Sequence, residues 1–277
     1  MMKNILLIVS FVTLFISCEK VIEIDVPSIE PKLIIDASFE IYFDENPVTA
    51  KNSVKLSLSA DYFDEVIPPA LGATVFLTNL ADNSIVTFSD VNSTGSYEPL
   101  NSFIPAENVA YELTIVYDSE TYKGTAFRIK STPLTNVEQG NETLFSGEET
   151  HLKIEFTDEV TIENYYLFDF TNNIFLTLED RFFNGAIYNF STFYQEDEID
   201  LPATVTIKMS GISRDYYDYF RILQGQSGQN GGGPFETVPS SLLGNMINIT
   251  NEDNFPLGYF HIAETDTFTL DLVELED

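Results

Sequence analysis

Two-residue alternation of apolar and mostly polar side chains constrains this chain more than any other feature. Leu33, Ile35, Ala37, Phe39 and Ile41 alternate with Ile34, Asp36, Ser38 and Glu40, and Val54, Leu56 and Leu58 alternate with Lys55, Ser57 and Ser59. Successive side chains of a strand point to opposite faces, so this pattern specifies half-buried strands and excludes a helical fold. Thr74 to Thr78, Ser84 to Phe88, Tyr111 to Tyr117 and Thr121 to Lys130 continue the series between turn-forming segments such as Pro68-Pro69, Ala81-Asp82-Asn83 and Asp118-Ser119. Six or seven short strands in about 100 residues predict an immunoglobulin-like sandwich without its disulfide or core tryptophan.

Pattern and punctuation predict an all-β protein of two β-sandwich (immunoglobulin-like) domains, at residues 32–132 and 133–277. The boundary is placed in the polar stretch from Ser131-Thr132-Pro133 to Gly147. Beyond it Leu152, Ile154 and Phe156 alternate again. Tyr165 to Phe170, Ile174 to Leu178, Ala186 to Phe190, Val205 to Met209, Tyr259 to Ala263 and Thr267 to Leu272 read as further strands, with Asn184-Gly185 as a hairpin signal. One segment breaks the rule. Tyr216, Tyr219, Phe220 and Leu223 recur at helical spacing behind Ser213, a good N-cap, and predict one short helix in the second domain.

Residues 1–17 read as a secretory signal: Lys3 precedes Ile5 to Ile16, twelve residues interrupted only by Ser10 and Thr13. Crossing a bilayer takes about 18 apolar residues or more, so this run suits a cleaved leader. Leu14-Phe15-Ile16-Ser17 leads directly into Cys18, the single cysteine, and resembles a bacterial lipobox. Cys18 is therefore the expected lipidation site, with residues 18–31 as tether and the membrane as first partner; a free or buried thiol is the competing reading.

The chain carries 44 acidic against 13 basic side chains, a formal charge of -31, which argues against nucleic-acid partners. Only two histidines are present, His151 and His261, and the cysteine is assigned to lipid, so Cys/His metal sites and histidine-assisted nucleophiles have little to draw on. His151 is expected at the surface and His261 within a sheet. Acidic groups such as Asp158-Glu159 and Glu196-Asp197-Glu198 lack the spaced ligands of a calcium loop and are read as solvated turns. No catalytic residue, metal ligand or cofactor is expected. Gly231-Gly232-Gly233-Pro234-Phe235 is not followed by Lys-Ser or Lys-Thr and is no phosphate loop. Gly231, Gly232, Gly233 and Phe235 are the expected partner-binding residues; the competing reading makes Phe235 a plug for its own domain.

Several strings taken in order resemble the Bacteroidota outer-membrane lipoprotein family known as domain of unknown function 4249. They include Cys18-Glu-Lys-Val-Ile-Glu-Ile-Asp-Val-Pro27, Gly72-Ala-Thr-Val-Phe76, Asp180-Arg-Phe-Phe-Asn-Gly185, Tyr216-Tyr-Asp-Tyr219, Gly231-Gly-Gly-Pro-Phe235 and Leu257-Gly-Tyr-Phe260. The resemblance implies a lipid-anchored outer-membrane protein, commonly encoded near a TonB-dependent transporter, and supplies no catalytic residues. The expected function is that of a non-catalytic accessory binding component of TonB-dependent uptake, facing the cell surface, with the transporter barrel as partner. A cell-surface adhesin or carbohydrate-binding lipoprotein without a transporter partner is the competing expectation.

Overall fold

The computed structural model describes residues 30–275 apart from 62–63, 65, 145, 161–162 and 228–241. The alternating segments form strands as their pattern requires. The first half carries β1 (Leu33–Tyr42), β2 (Thr49–Leu58), β3 (Thr74–Asn79), β4 (Ile85–Ser89), β5 (Ser96–Pro99), β6 (Ala110–Tyr117) and β7 (Glu120–Ile129). The second carries β8 (Leu134–Gln139), β9 (Thr150–Thr157), β10 (Tyr165–Asp169), β11 (Phe175–Glu179), β12 (Ile187–Tyr194), β13 (Ala203–Ile212), helix α1 (Arg214–Gln226), β14 (Ile247–Asn248) and β15 (Leu257–Leu272). Ser213 caps α1 by accepting the Tyr216 N–H at 3.2 Å, as its position before the aromatic repeat predicts. The buried face of the helix uses Tyr217 where spacing pointed to Leu223, which is exposed.

Eight strands close on themselves in the order β15, β1, β2, β5, β4, β3, β6, β7, because β7 pairs back onto β15 at Arg128 with Ile262 and Ile129 with Ala263. Closure removes free edges, and the inward side chains fill the interior. Phe39 is its centre, stacked on Phe88 at 5.6 Å and edge-on to Phe260 at 5.3 Å. From β15 the sheet continues outward through β13, β10 and β11. A separate three-stranded sheet, β12-β9-β8, encloses with it a second core around Phe156, Phe168 and Ile207.

The expectation of two self-contained sandwiches is corrected here: there are two cores, but they share a strand. β15 runs parallel to β1 from Leu257 to Thr265 and antiparallel to β13 from Thr265 to Leu272. Its first part supplies Phe260 and Ile262 to the closed sheet and its last part supplies Leu272 to the second core. Residues 31–277 accordingly cluster as one unit. At the crossing, Glu264 is ion-paired with Arg128 at 2.7 Å and accepts the Ser131 N–H, while Asp266 accepts the Leu134 N–H at 2.7 Å. These two buried acids interrupt the apolar alternation, which is why two strands are read from the sequence where one is present. The polar stretch after Ser131 is likewise no bare linker, since it contains β8. Asn184-Gly185 closes no hairpin: β11 pairs with β10 and β12 with β9, so this turn carries the chain between sheets. Among the described residues no helix is long and apolar enough to cross a membrane.

Candidate functional site

A cleft of about 1140 Å³ opens where β8 ends and β9 begins, between loop 141–149, the segment after β12 and the end of β15. Its lining includes Glu142, Glu148, Glu149, Glu196, Asp200 and Glu274 and, among the described residues, no lysine or arginine. Strand ends gather here because β8, β12 and β15 end, and β9 begins, at the same level. Gln139 ties two of them, donating from Nε2 to the Val273 carbonyl at 2.8 Å and accepting the Val273 N–H at 3.0 Å.

The walls are held by two residues. Glu149 accepts backbone N–H groups from Leu144, Ser146 and Gly147 at 3.0–3.1 Å, folding the loop around one carboxylate. These bonds, that from Ser146 foremost, hold its carboxyl down at about 2, so it is ionised at neutral pH. His151 is 1% exposed, a correction to its expected surface position. Its Nδ1 accepts the Glu142 N–H at 3.2 Å, which places the ring proton on Nε2, donated to Ser191 Oγ at 2.8 Å. Burial lowers its pKa, so the ring is neutral, and it stacks on Phe193 at 4.7 Å. Gly140 permits this arrangement, because a Cβ there would lie 2.1 Å from Nδ1.

His151 is thus a wall and a positioning group, engaged at both nitrogens. The cleft concentrates negative charge on walls held by hydrogen bonds, which suits attraction of cationic groups. No group of three or more His, Cys, Asp or Glu able to hold a metal occurs among the described residues. Asp158, read as part of a turn cluster, is buried and accepts from Tyr166 Oη and, at 2.8 Å, from the Gly185 N–H. Asp180 beside it accepts the Asn164 N–H at 2.9 Å; burial raises its pKa, and this pair braces the turns between sheets.

A second polar and aromatic cluster lies where α1 covers the closed sheet. His261 stacks on Tyr216 at 4.3 Å, and burial lowers its pKa to about 4. Half-buried Tyr219 and Tyr259 meet at 4.9 Å beside it, and Lys208 pairs with Glu40 at 3.0 Å. Cys18 and the expected contact residues Gly231, Gly232, Gly233 and Phe235 lie outside the described residues. The cleft was missed from sequence because its acids come from positions 142 to 274; the local signals were Glu148-Glu149 beside His151 and Glu196 at the head of an acidic run.

A family model, domain of unknown function (DUF4249), matches residues 19–269. No curated protein matches the chain. Among solved structures, the crystal structure of selenomethionine-substituted chicken interferon gamma receptor alpha chain is similar at 13% identity, covering 68% of this chain and 90% of that one, with a TM-score of 0.19. That likeness carries no argument about fold or function.

Proposed function

We propose, for a chain that belongs to the DUF4249 family, a binding role. It is a lipoprotein whose leader, residues 1–17, is removed, whose Cys18 carries the lipid, and whose residues 18–31 tether the folded part to the outer membrane, facing the cell surface. It works without a catalytic centre, as an accessory component of a TonB-dependent uptake system that holds a ligand or the rim of the transporter barrel. The observation that supports this best is the cleft with six carboxylates among its described lining residues, whose field steers cationic groups and sets their orientation. Its histidine is bound at both ring nitrogens, which suits a wall better than a base.

One observation favours a second reading. Tyr219 and Tyr259, half-buried with adjacent rings, offer apolar faces to a sugar, as a carbohydrate-binding adhesin would. Affinity purification from detergent-solubilised membranes separates the two. A barrel protein retained by the wild type, and lost on neutralising Glu196, Asp200 and Glu274, supports the accessory role. A chain that emerges alone and captures immobilised glycans supports the adhesin. Cys18→Ala tests the anchor: loss of labelled fatty acid and of membrane fractionation is expected, and labelling that persists overturns it.

A further inference from the structure

We propose that β12 is a docking edge for an extended, basic protein segment, which pairs with it as an added strand and lays its cationic end in the acidic cleft. This rests on the binding reading of the cleft and names the class of partner.

Hydrogen bonding fixes which way the strand's backbone faces. Gly140 N–H donates to the His151 carbonyl, so His151, Lys153 and Glu155 turn their main-chain groups toward β8. Asp158 N–H donates to the Ala186 carbonyl, so the intervening β9 residues face β12 and pair with Tyr188, Phe190, Thr192 and Tyr194. Ile187, Asn189, Ser191 and Phe193 therefore turn their N–H and C=O groups outward. None of these groups has a backbone partner among the described residues.

The two other open edges around this core are guarded. Helix α1 covers β11 through Phe220 on Phe175 at 5.4 Å, and Gln224 Nε2 donates to the Phe175 carbonyl at 3.0 Å. β8 is tied to β15 by Asp266 and by the Gln139 and Val273 pair. Among the described residues β12 has none of the devices that blunt an edge. It lacks charge and proline, pairs with β9 in unbroken register, and exposes Ile187 at 64%. No charged residue occurs from Phe182 to Gln195 in a chain carrying 44 acids.

Charge decides the occupant. The strand runs directly into Glu196 and Asp200 of the cleft, and His151 in the cleft wall bonds Ser191 and stacks on Phe193, both on the free edge. A second copy would bring another charge of -31 against this end; an extended segment ending in lysines or arginines meets complementary charge. From Ile187 to Phe193 the edge is about 20 Å long at roughly 3.3 Å per residue, room for some seven paired residues.

The test uses the detergent-solubilised full chain and synthetic peptides of alternating threonine and valine with three lysines at either end. At least one peptide should bind, and N-methylation of alternate residues should weaken it by about tenfold or more through lost main-chain bonds. Asn189→Pro, at an outward N–H where proline is tolerated, should do the same without lowering the melting temperature. Neutralising Glu196, Asp200 and Glu274 together should weaken binding and flatten its salt dependence. Equal binding by the methylated peptide and by Asn189→Pro overturns edge pairing and leaves cleft binding standing; failure of every peptide overturns both. Dimerisation of the free chain that Asn189→Pro abolishes also overturns the proposal, giving the edge to a second copy.

Discussion

Backbone N–H groups of Leu144, Ser146 and Gly147 converge on Glu149, so one side chain gathers the described part of the loop before β9. Its carboxyl sits at about 2 in the folded chain against an ordinary 4.5, so the folded state favours the ionised form. That stabilisation is complete above about 4.5 and is lost as pH falls toward 2. Glu149→Gln should therefore lower the melting temperature at pH 6, and the gap to wild type should close on acidification below pH 4.5; a gap independent of pH would contradict the assignment. Gly140 carries a steric counterpart. A Cβ 2.1 Å from His151 Nδ1 must displace a buried ring that is stacked and bonded at both nitrogens. Gly140→Ala should cost about 1–3 kcal/mol in urea unfolding, the usual range for overpacking. In the His151→Ala background the same change should cost far less, because its obstacle is gone.

Elements whose burial follows one simple period were legible in the chain. β1 and β2 alternate cleanly, and α1 announces itself by Ser213 and the tyrosines that follow. Ser213→Ala should lose about 1 kcal/mol by removing the cap on the Tyr216 N–H, and Ser213→Asp should retain it, as chemical denaturation of both variants would show. β8 was hidden for a physical reason: its buried residues Leu134 and Val137 stand three apart, because a register shift between Leu134 and Asn136 breaks the two-residue period. β15 was split in the reading because Glu264 and Asp266 look like solvent-facing acids until Arg128, Ser131 and Leu134 are brought to them. The cleft was illegible for a related reason. Patterning tells which face of a strand is buried but not which strand ends lie side by side, and this site is made of strand ends.

Across the whole molecule, β15 determines how the chain comes apart. It is the closing strand of the eight-stranded ring, flanked by β1 and β7, and then the central partner of β13 in the second core. Lys208 on β13 pairs with Glu40 on β1, and Ser210 Oγ lies 2.8 Å from Thr265 Oγ1, so bonds cross between the cores at the same level. Gly211 lets the backbones meet: a Cβ there would fall 1.8 Å from the Lys130 carbonyl oxygen, a contact that main chain cannot relieve. Two halves joined by a flexible linker would unfold in two steps; halves sharing a strand lose the closure of one when the other releases it. Residues 31–277 should therefore unfold in a single calorimetric transition. The fragment 30–132 holds β1 to β7 but lacks the strand that fills the gap between β1 and β7, exposing two edges and the interior around Phe39. Alone it should give the narrow amide dispersion of an unfolded chain in NMR, and a peptide of residues 257–272 added in trans should restore dispersed signals. A fragment that folds without the peptide would make the first core self-sufficient and β15 a mere cover.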